Sequence, residues 1–324
     1  MNKPFKTYRQ QIVILRKRNL TVDGSKAMRA LSTAGYYNIV NGYKDIFLDV
    51  QASKSIGEDY YKNDTTFEQI YSLYLFDSNM RNTLMKNLLT IETTVKTKTA
   101  YYFSEAYRSE FAYLNINNFD ASHAQSVTKL ISKLSNVINN NTSNNSSNGQ
   151  INHYINNHKN VPLWVLAQKM TFGEIKHFIY CMKNDLKNKF CKDILQDYNR
   201  TYNSHIHLTA AIISDIMLML DLLNEFRNVC AHGERLYNFV FKKGKNIPGI
   251  TSHFYSPHNI RFASKLFDCI LISGLFTSKK EYNMLLKRVS HEIELLEKLL
   301  APNQFNVVLM NMGFPKDWEE KLKL

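Results

Sequence analysis

The chain has 324 residues, of which 44% are hydrophobic and 21% are charged. This composition is close to that of an average globular protein, so it excludes wholesale disorder. Lys and Arg number 41 against 28 Asp and Glu, which gives a formal net charge of +13. Such a field favours polyanionic partners, either nucleic acid or an anionic membrane surface, and does not by itself distinguish them.

The cysteines and the N-terminal sequence predict a cytoplasmic protein. The four cysteines form no CxxC pair, and the first twenty residues lack the apolar core of a signal peptide. The most apolar stretch, 208–223, is interrupted by Asp215 and Asp221, which favours a buried helix over a membrane span. We therefore expect reduced thiols and no membrane insertion.

The first part of the chain has helical spacing. Residues 8–18 and 26–40 place apolar side chains three or four positions apart. Residues 64–68 offer an N-cap and an early acid, and the apolar period then continues towards Tyr101. The pattern predicts a helical N-terminal module over 1–63, followed by one long amphipathic helix.

The remaining sequence predicts more helices and one loop. Residues 136–160 include 11 Asn and cannot bury an apolar face, so we expect a mobile surface loop there. Further helices are predicted near 162–182, 208–232, 260–275 and 281–300. With 11 Gly, 6 Pro and no alternating strands, the chain is predicted to be all-α. We divide it into the module 1–63, a helical core over 64–300 that contains the loop, and a C-terminal segment 301–324 packed on the core.

Polar residues at the end of the predicted helix 208–232 are the candidate catalytic group. Asn228 and His232 are one turn apart, and the long side chain of Arg227 reaches the same region. A histidine moves protons near neutral pH, and an arginine stabilises the charge of a five-coordinate phosphorus. These residue types suit phosphodiester cleavage.

The spacing alone leaves other interpretations open. An Arg and a His five residues apart also fit a solvated helix face, and Arg200 with His205 repeats the spacing in polar surroundings. Cys230 and His232 point about 160° apart on a helix, which argues against a Cys-His nucleophile. His205 and His207 are too sparse for a metal site, and we assign no metal ligands. Tyr36, Tyr37, Tyr101 and Tyr102 are interpreted as core or interface packing rather than as stacking platforms for bases.

Several segments carry a family resemblance. The segment RNVCAHGERLYN, residues 227–238, resembles the RNxxAHxERLxN signature of the AbiD/AbiF-type abortive infection proteins, a bacterial phage-resistance family assigned to the HEPN superfamily of helical ribonucleases. Similar blocks occur at 3–20, at GYYNIVNGY (35–43), within 67–103 as an FDxxxR element followed by an IExxxK element, at 162–178 and at MGFPKDW (312–318). The resemblance spans nearly the whole chain except the Asn-rich stretch.

The resemblance implies a HEPN-like helical bundle, dimeric, whose motif helices face each other to form a composite ribonuclease site. Arg227 and His232 match the defining pair, and Asn228 matches the polar residue beside the arginine. Glu92 and Lys96 match the family's Glu-x3-basic pattern with Lys in place of the usual Arg, although an ordinary i,i+4 ion pair explains the same spacing. Gly233 stands where the family often has a second His.

The implied activity is endoribonuclease toxicity during phage infection, with RNA as substrate and no metal or other cofactor. We expect a homodimer and hypothesise that a small RNA binds as a regulator, since the chain is strongly basic and carries no attached antitoxin domain. Two basic segments are candidate RNA-backbone contacts, and the alternative for each is a solvated face. Their residues are Arg16, Lys17, Arg18, Lys242, Lys243 and Lys245. The alternative function is a non-catalytic RNA-binding or scaffold protein of the same fold.

Overall fold

The computed structural model describes residues 4–143, 149–242, 254 and 262–323. Among these residues the regular structure is helical, and the β-pairing consists of isolated bridges such as the one between Thr21 and Thr66. The expected all-α fold is confirmed. The α-helices are α1 (Tyr8–Lys17), α2 (Gly24–Ala34), α3 (Val50–Ile56), α4 (Phe67–Ala106), α5 (Ala124–Ser143), α6 (Gln150–His158), α7 (Leu163–Leu166), α8 (Phe172–Cys181), α9 (Asn184–Tyr202), α10 (Ala210–His232), α11 (Leu266–Phe276), α12 (Lys279–Glu297), α13 (Pro302–Met312) and α14 (Trp318–Lys321).

The longest helix, α4, is the central element around which the others pack. It begins at a capping box, in which the Thr66 side chain accepts a hydrogen bond from the Gln69 backbone and the Gln69 side chain accepts one in return. Its 40 residues span about 60 Å at the α-helical rise. This length lets α4 contact α2 and α7 through α12. The predicted long helix is therefore confirmed as one continuous element.

Helices α4 and α10 run antiparallel, and this pairing positions the candidate site. At one end Arg227 of α10 contacts Glu92 of α4, and at the other the backbone of Leu236, just beyond α10, contacts Asp77. Apolar residues of both helices belong to one buried cluster, including Leu88 and Ile91 of α4 and Phe226 of α10. The apolar packing fixes the helix pair, so polar groups along its edge are held in register.

The N-terminal helices differ in one place from the expected pattern. The helix predicted over 26–40 ends at Ala34, because Gly35 adopts φ 79° and cannot continue an α-helix there. A single π-helical turn, Tyr37–Asn41, follows, in which Ile39 and Val40 are buried, Asn41 is half-buried, and Tyr37 and Asn38 are exposed. A short 3-10 turn, Asp45–Phe47, then leads to α3.

The Asn-rich stretch is more ordered than expected. The interpretation of 136–160 as a surface loop is wrong for 136–143, which continue α5, and for 150–158, which form α6. The stretch contains enough apolar residues for two helical faces, because Ile151 is buried and Val137, Ile138, Tyr154 and Ile155 pack against the core. An asparagine also satisfies its own amide within the helix, since Asn141 donates to the Val137 carbonyl at 2.7 Å.

The buried cluster extends from Ile12 to Leu322, so all three predicted divisions contribute side chains to it. The boundaries at 63 and 300 stay a prediction. No helix in the part of the chain that the structure describes is long and apolar enough to cross a membrane.

Candidate active site

The three motif residues occupy the last two turns of α10. This helix ends at His232 because Gly233 adopts the left-handed conformation, with φ 68°. The Glu234 N–H then donates to the Val229 carbonyl at 3.1 Å, and the Gly233 N–H to the Cys230 carbonyl at 3.4 Å. This pair of bonds is a Schellman motif, which turns the chain sharply and leaves His232 at the exposed end of the helix.

Arg227 is anchored to α4 by a buried carboxylate. Its Nε donates to Glu92 Oε2 at 3.1 Å, and the Lys96 Nζ lies 2.8 Å from the other oxygen, Glu92 Oε1. The Glu92 and Lys96 side chains are only 7% and 9% exposed, whereas that of Arg227 is 24% exposed. The i,i+4 pair expected as an alternative is therefore present, but it is buried and joined to the motif arginine.

The geometry of this contact leaves part of the arginine available. The Glu92 carboxylate takes the Nε side of the guanidinium, and the two terminal nitrogens of Arg227 form no hydrogen bond with the residues that the structure describes. A guanidinium held in this way presents a planar pair of donors, which matches two oxygens of a phosphate. Glu92 thus orients Arg227, and because its single negative charge is shared with Lys96, the three side chains together keep one net positive charge.

Asn228 and His232 have no comparable anchor. Neither side chain makes a hydrogen bond or ion pair within 4–143, 149–242, 254 and 262–323; Asn228 is half-buried and His232 is exposed. His232 lines a cleft of about 480 Å³ that Arg227 does not line. Helix geometry separates the two residues by about 7.5 Å along the axis and about 140° around it. Within one chain, Arg227 and His232 therefore lie on the same helix end but do not face the same phosphate position.

A buried network that the sequence reasoning missed holds the chain just beyond His232. Asp77 of α4 is fully buried and accepts four hydrogen bonds: from the Tyr43 hydroxyl at 2.7 Å, Arg81 Nη1 at 2.6 Å, the Leu236 N–H at 3.0 Å and the Tyr237 N–H at 2.7 Å. Arg81 Nη1 also donates to the Glu234 carbonyl at 3.2 Å. We call Asp77, Arg81 and Tyr43 the Asp77 network.

The protonation states in this network are consistent with its geometry. Burial raises the pKa of the Tyr43 phenol, as does the negative charge of Asp77, so the hydroxyl remains a donor. Burial also raises the pKa of Asp77, while its hydrogen bonds from Tyr43 and from the backbone oppose that rise. The signal in the sequence was an Asp and an Arg at buried positions of an apolar helical stripe, where a charged residue needs a partner.

Cys230 lies within the motif, in surroundings that disfavour its thiolate form. Burial raises the pKa of its thiol to about 12, so it stays protonated at neutral pH. This agrees with the argument from helix geometry against a Cys-His pair. Among the residues that the structure describes, no three His, Cys, Asp or Glu side chains form a group that fits a metal ion.

The predicted basic contacts differ in their availability. Arg18 is paired with Glu58 at 2.9 Å and Asp59 at 3.5 Å, and Arg16 donates to the Val22 carbonyl at 2.9 Å. Lys17 and Lys242 are exposed. Lys243 and Lys245 lie outside the described residues.

Comparison with known proteins adds one finding. A family model described as Abi-like protein matches residues 29–238, about two thirds of the chain, from within α2 to the end of the RNxxAHxERLxN segment. No curated protein matches the chain, and no solved structure matches it either. The matched region contains Asp77, Glu92, Arg227 and His232, and membership suggests a role in abortive infection, a form of phage defence. The chain thus belongs to the Abi-like family of abortive infection proteins.

Proposed function

We propose that this protein is a HEPN-type endoribonuclease toxin that cleaves RNA during phage infection. The observation that carries the proposal is the arrangement at the end of α10. The Arg227 guanidinium is oriented by a buried carboxylate, and the Asn228 amide and the His232 imidazole on the same helix end bond to none of the described residues. Buried charge is expensive unless it is paired. A Glu92–Arg227–Lys96 cluster that keeps one guanidinium edge open is consistent with an anion-binding role.

The chemistry that fits these groups is transesterification at phosphorus. The RNA 2′-oxygen bonds to the adjacent phosphorus as the bond from phosphorus to the 5′-oxygen breaks, which leaves a 2′,3′-cyclic phosphate and a 5′-hydroxyl. His232 removes the proton of the 2′-hydroxyl or donates one to the leaving 5′-oxygen. Arg227 stabilises the phosphorane charge, and Asn228 orients the phosphate. DNA lacks the nucleophile, so the mechanism selects RNA.

The separation of Arg227 and His232 in one chain supports a dimeric site. A single imidazole cannot both accept and donate a proton in one concerted step, whereas two copies of α10 facing each other supply two. Because a two-fold interface pairs the same surface with itself, the exposed end of α10 is the surface we assign to it. Light scattering under assay conditions tests this, and full activity from a monomer would refute it.

The same proposal assigns a cytoplasmic location and a small RNA as regulator. The net charge of +13 favours a bound polyanion. Purification from the native host should co-isolate such an RNA, and its removal should raise the cleavage rate. A protein that is isolated free of RNA, and whose activity is unchanged by transcripts of the neighbouring locus, has no such regulator.

The decisive experiment is cleavage of an end-labelled structured RNA in EDTA by the wild type, Arg227→Ala and His232→Ala. We expect cyclic-phosphate ends from the wild type and losses of at least about 100-fold in both variants, the factor typical of a removed acid-base or charge-stabilising group. Arg200→Ala and His205→Ala form a matched control, since this pair has the same spacing on an exposed segment. Binding without cleavage by all three proteins would favour the non-catalytic RNA-binding alternative.

A further inference from the structure

The cleft beside His232 has the composition of a nucleotide-binding site. It has a volume of about 480 Å³, which is in the range of small-ligand pockets. One wall comes from the π-helical turn 37–41 and the other from the segment 232–235, with Tyr74 and Arg81 of α4 between them. Two parts of the chain nearly 200 residues apart therefore meet around it.

Tyr37 is the most unusual side chain in this cleft. It is 77% exposed, although the sequence favoured a packing role, and its ring contacts no other aromatic ring in the described part of the chain. The π-helical turn explains the exposure, because Ile39 and Val40 bury the opposite side of the turn and hold Tyr37 outward. An exposed aromatic ring on a fixed backbone is a stacking platform for a nucleobase.

Two asparagine side chains near Tyr37 can bind the edge of a base. Asn38 donates its Nδ2 to the Ala34 carbonyl at 3.0 Å, which orients the amide and leaves its Oδ1 as an acceptor. The Asn41 side chain is half-buried in the same wall and forms no hydrogen bond with the described residues. Asparagine amides offer both a donor and an acceptor to the edges of bases.

Two guanidinium groups border the cleft, and each lies beside a carboxylate, Arg81 beside Asp77 and Arg235 beside Asp45. Arg81 and Arg235 both line it, and Glu234 is the acidic residue among the lining side chains. Arg81 uses Nη1 within the Asp77 network, while Arg235 Nη1 donates to the Gly42 carbonyl at 2.9 Å and lies 3.5 Å from Asp45. Both guanidinium groups are thus held at the cleft by one nitrogen, with the other terminal nitrogen unbonded within the described residues.

We propose that this cleft binds one unpaired RNA nucleotide, with its base stacked on Tyr37 and its edge read by Asn38 and Asn41, next to the phosphate that His232 addresses. The inference rests on the proposed ribonuclease function and adds to it the place of substrate recognition. It makes Tyr37 a specificity residue, and it predicts that cleavage occurs beside single-stranded rather than paired nucleotides.

The test is the binding of a single-stranded oligonucleotide that contains 2-aminopurine as a fluorescent base. Every sugar in it is 2′-deoxy, so it lacks the nucleophile and cannot be cleaved. Tyr37→Ala should raise the dissociation constant about 5- to 150-fold, the factor that corresponds to a stacking contribution of about 1–3 kcal/mol per base. Tyr37→Phe keeps the ring and should bind within about twofold of the wild type. The wild type should quench 2-aminopurine fluorescence, and Tyr37→Ala should not.

The matched control is Tyr101→Ala, because Tyr101 is also exposed, at 60%, and does not line the cleft. Equal weakening by Tyr37→Ala and Tyr101→Ala, or wild-type binding by Tyr37→Ala, would overturn the inference. So would a change of oligomeric state in Tyr37→Ala, which would make the ring an interface residue between copies.

Separate measurements distinguish this inference from the proposed function. Cleavage of ordinary RNA reports the function, and binding of the uncleavable oligonucleotide reports the cleft. Tyr37-dependent binding by a protein that cuts no RNA would refute the ribonuclease and retain the nucleotide site. Cleavage with KM and kcat unchanged in Tyr37→Ala would refute the nucleotide site and retain the ribonuclease.

Discussion

Removal of the Asp77 carboxylate should destabilise the protein strongly. In Asp77→Ala, the buried Arg81 guanidinium loses its counter-charge and the Leu236 and Tyr237 N–H groups lose their acceptor. Breaking a buried ion pair by removing one partner costs about 3–5 kcal/mol. Each orphaned N–H adds about 1–3 kcal/mol if water cannot reach it. Because Arg81 borders the cleft, water relieves part of the charge cost but not that of the buried N–H groups, and we expect a total of about 5 kcal/mol or more.

Urea unfolding followed by circular dichroism measures this loss in free energy of unfolding. Asp77→Asn keeps one acceptor oxygen and the side-chain volume, so it should fold and cost less than Asp77→Ala. Hydrogen exchange should show faster exchange at the Leu236 and Tyr237 amides in both variants. Lys321→Ala is the control, since its ion pair with the half-exposed Asp317 should contribute less than about 1 kcal/mol.

A double-mutant cycle tests whether Asp77 and Arg81 stabilise the fold through their contact with each other. Arg81→Met combined with Asp77→Ala removes both charges, so the double variant should cost less than the sum of the single ones, by about 1.5–3 kcal/mol. Strict additivity, or a cost below about 1 kcal/mol for Asp77→Ala, would show that Asp77 does not hold the segment after α10.

Two further predictions concern the motif helix. Gly233→Ala should cost about 1–2 kcal/mol in urea unfolding, because the residue has φ 68° although open space surrounds the position of a new Cβ; an unchanged midpoint would contradict this. Glu92→Gln should lower kcat for RNA cleavage by about tenfold or more, since an amide orients Arg227 without balancing its charge, and should leave the dissociation constant of the uncleavable oligonucleotide within about threefold. If Glu92→Gln weakened oligonucleotide binding as much as it lowered kcat, Glu92 would be needed for RNA binding and not specifically for cleavage.

Local signals in the sequence were sufficient for the main helices. The capping residues Thr66 and Gln69 and the apolar period after Phe67 predict the start of α4, and Gly233 predicts the end of α10. These features act within a few residues, so they can be read without knowledge of the fold. The loop at 136–160 was predicted from the high Asn content of the stretch. That prediction ignored the scattered Ile and Val residues, which form the buried faces of the two helices.

The contacts that build the candidate site could not be predicted in the same way. Arg227 and Glu92 are 135 residues apart, and Asp77 accepts from backbone groups about 160 residues away. Such pairings depend on the register between α4 and α10, which no local pattern specifies. The exposed position of Tyr37 likewise depends on a π-helical turn, whereas the spacing of the apolar residues around it predicts an ordinary α-helix.

In the proposed ribonuclease, the arrangement along α4 combines a rigid backbone with unbonded side chains at the motif. Glu92 and Lys96 hold Arg227 at one side of the α10 terminus, and Asp77 and Arg81 hold the chain that follows it at the other. Between these anchors, Asn228 and His232 lie on a fixed backbone with side chains that bond to none of the described residues. A proton-transfer group needs such placement, since it must exchange partners during the reaction while its backbone stays still. It follows that substitutions at the anchors should change stability and cleavage together, whereas Asn228→Ala and His232→Ala should change cleavage with the free energy of unfolding preserved.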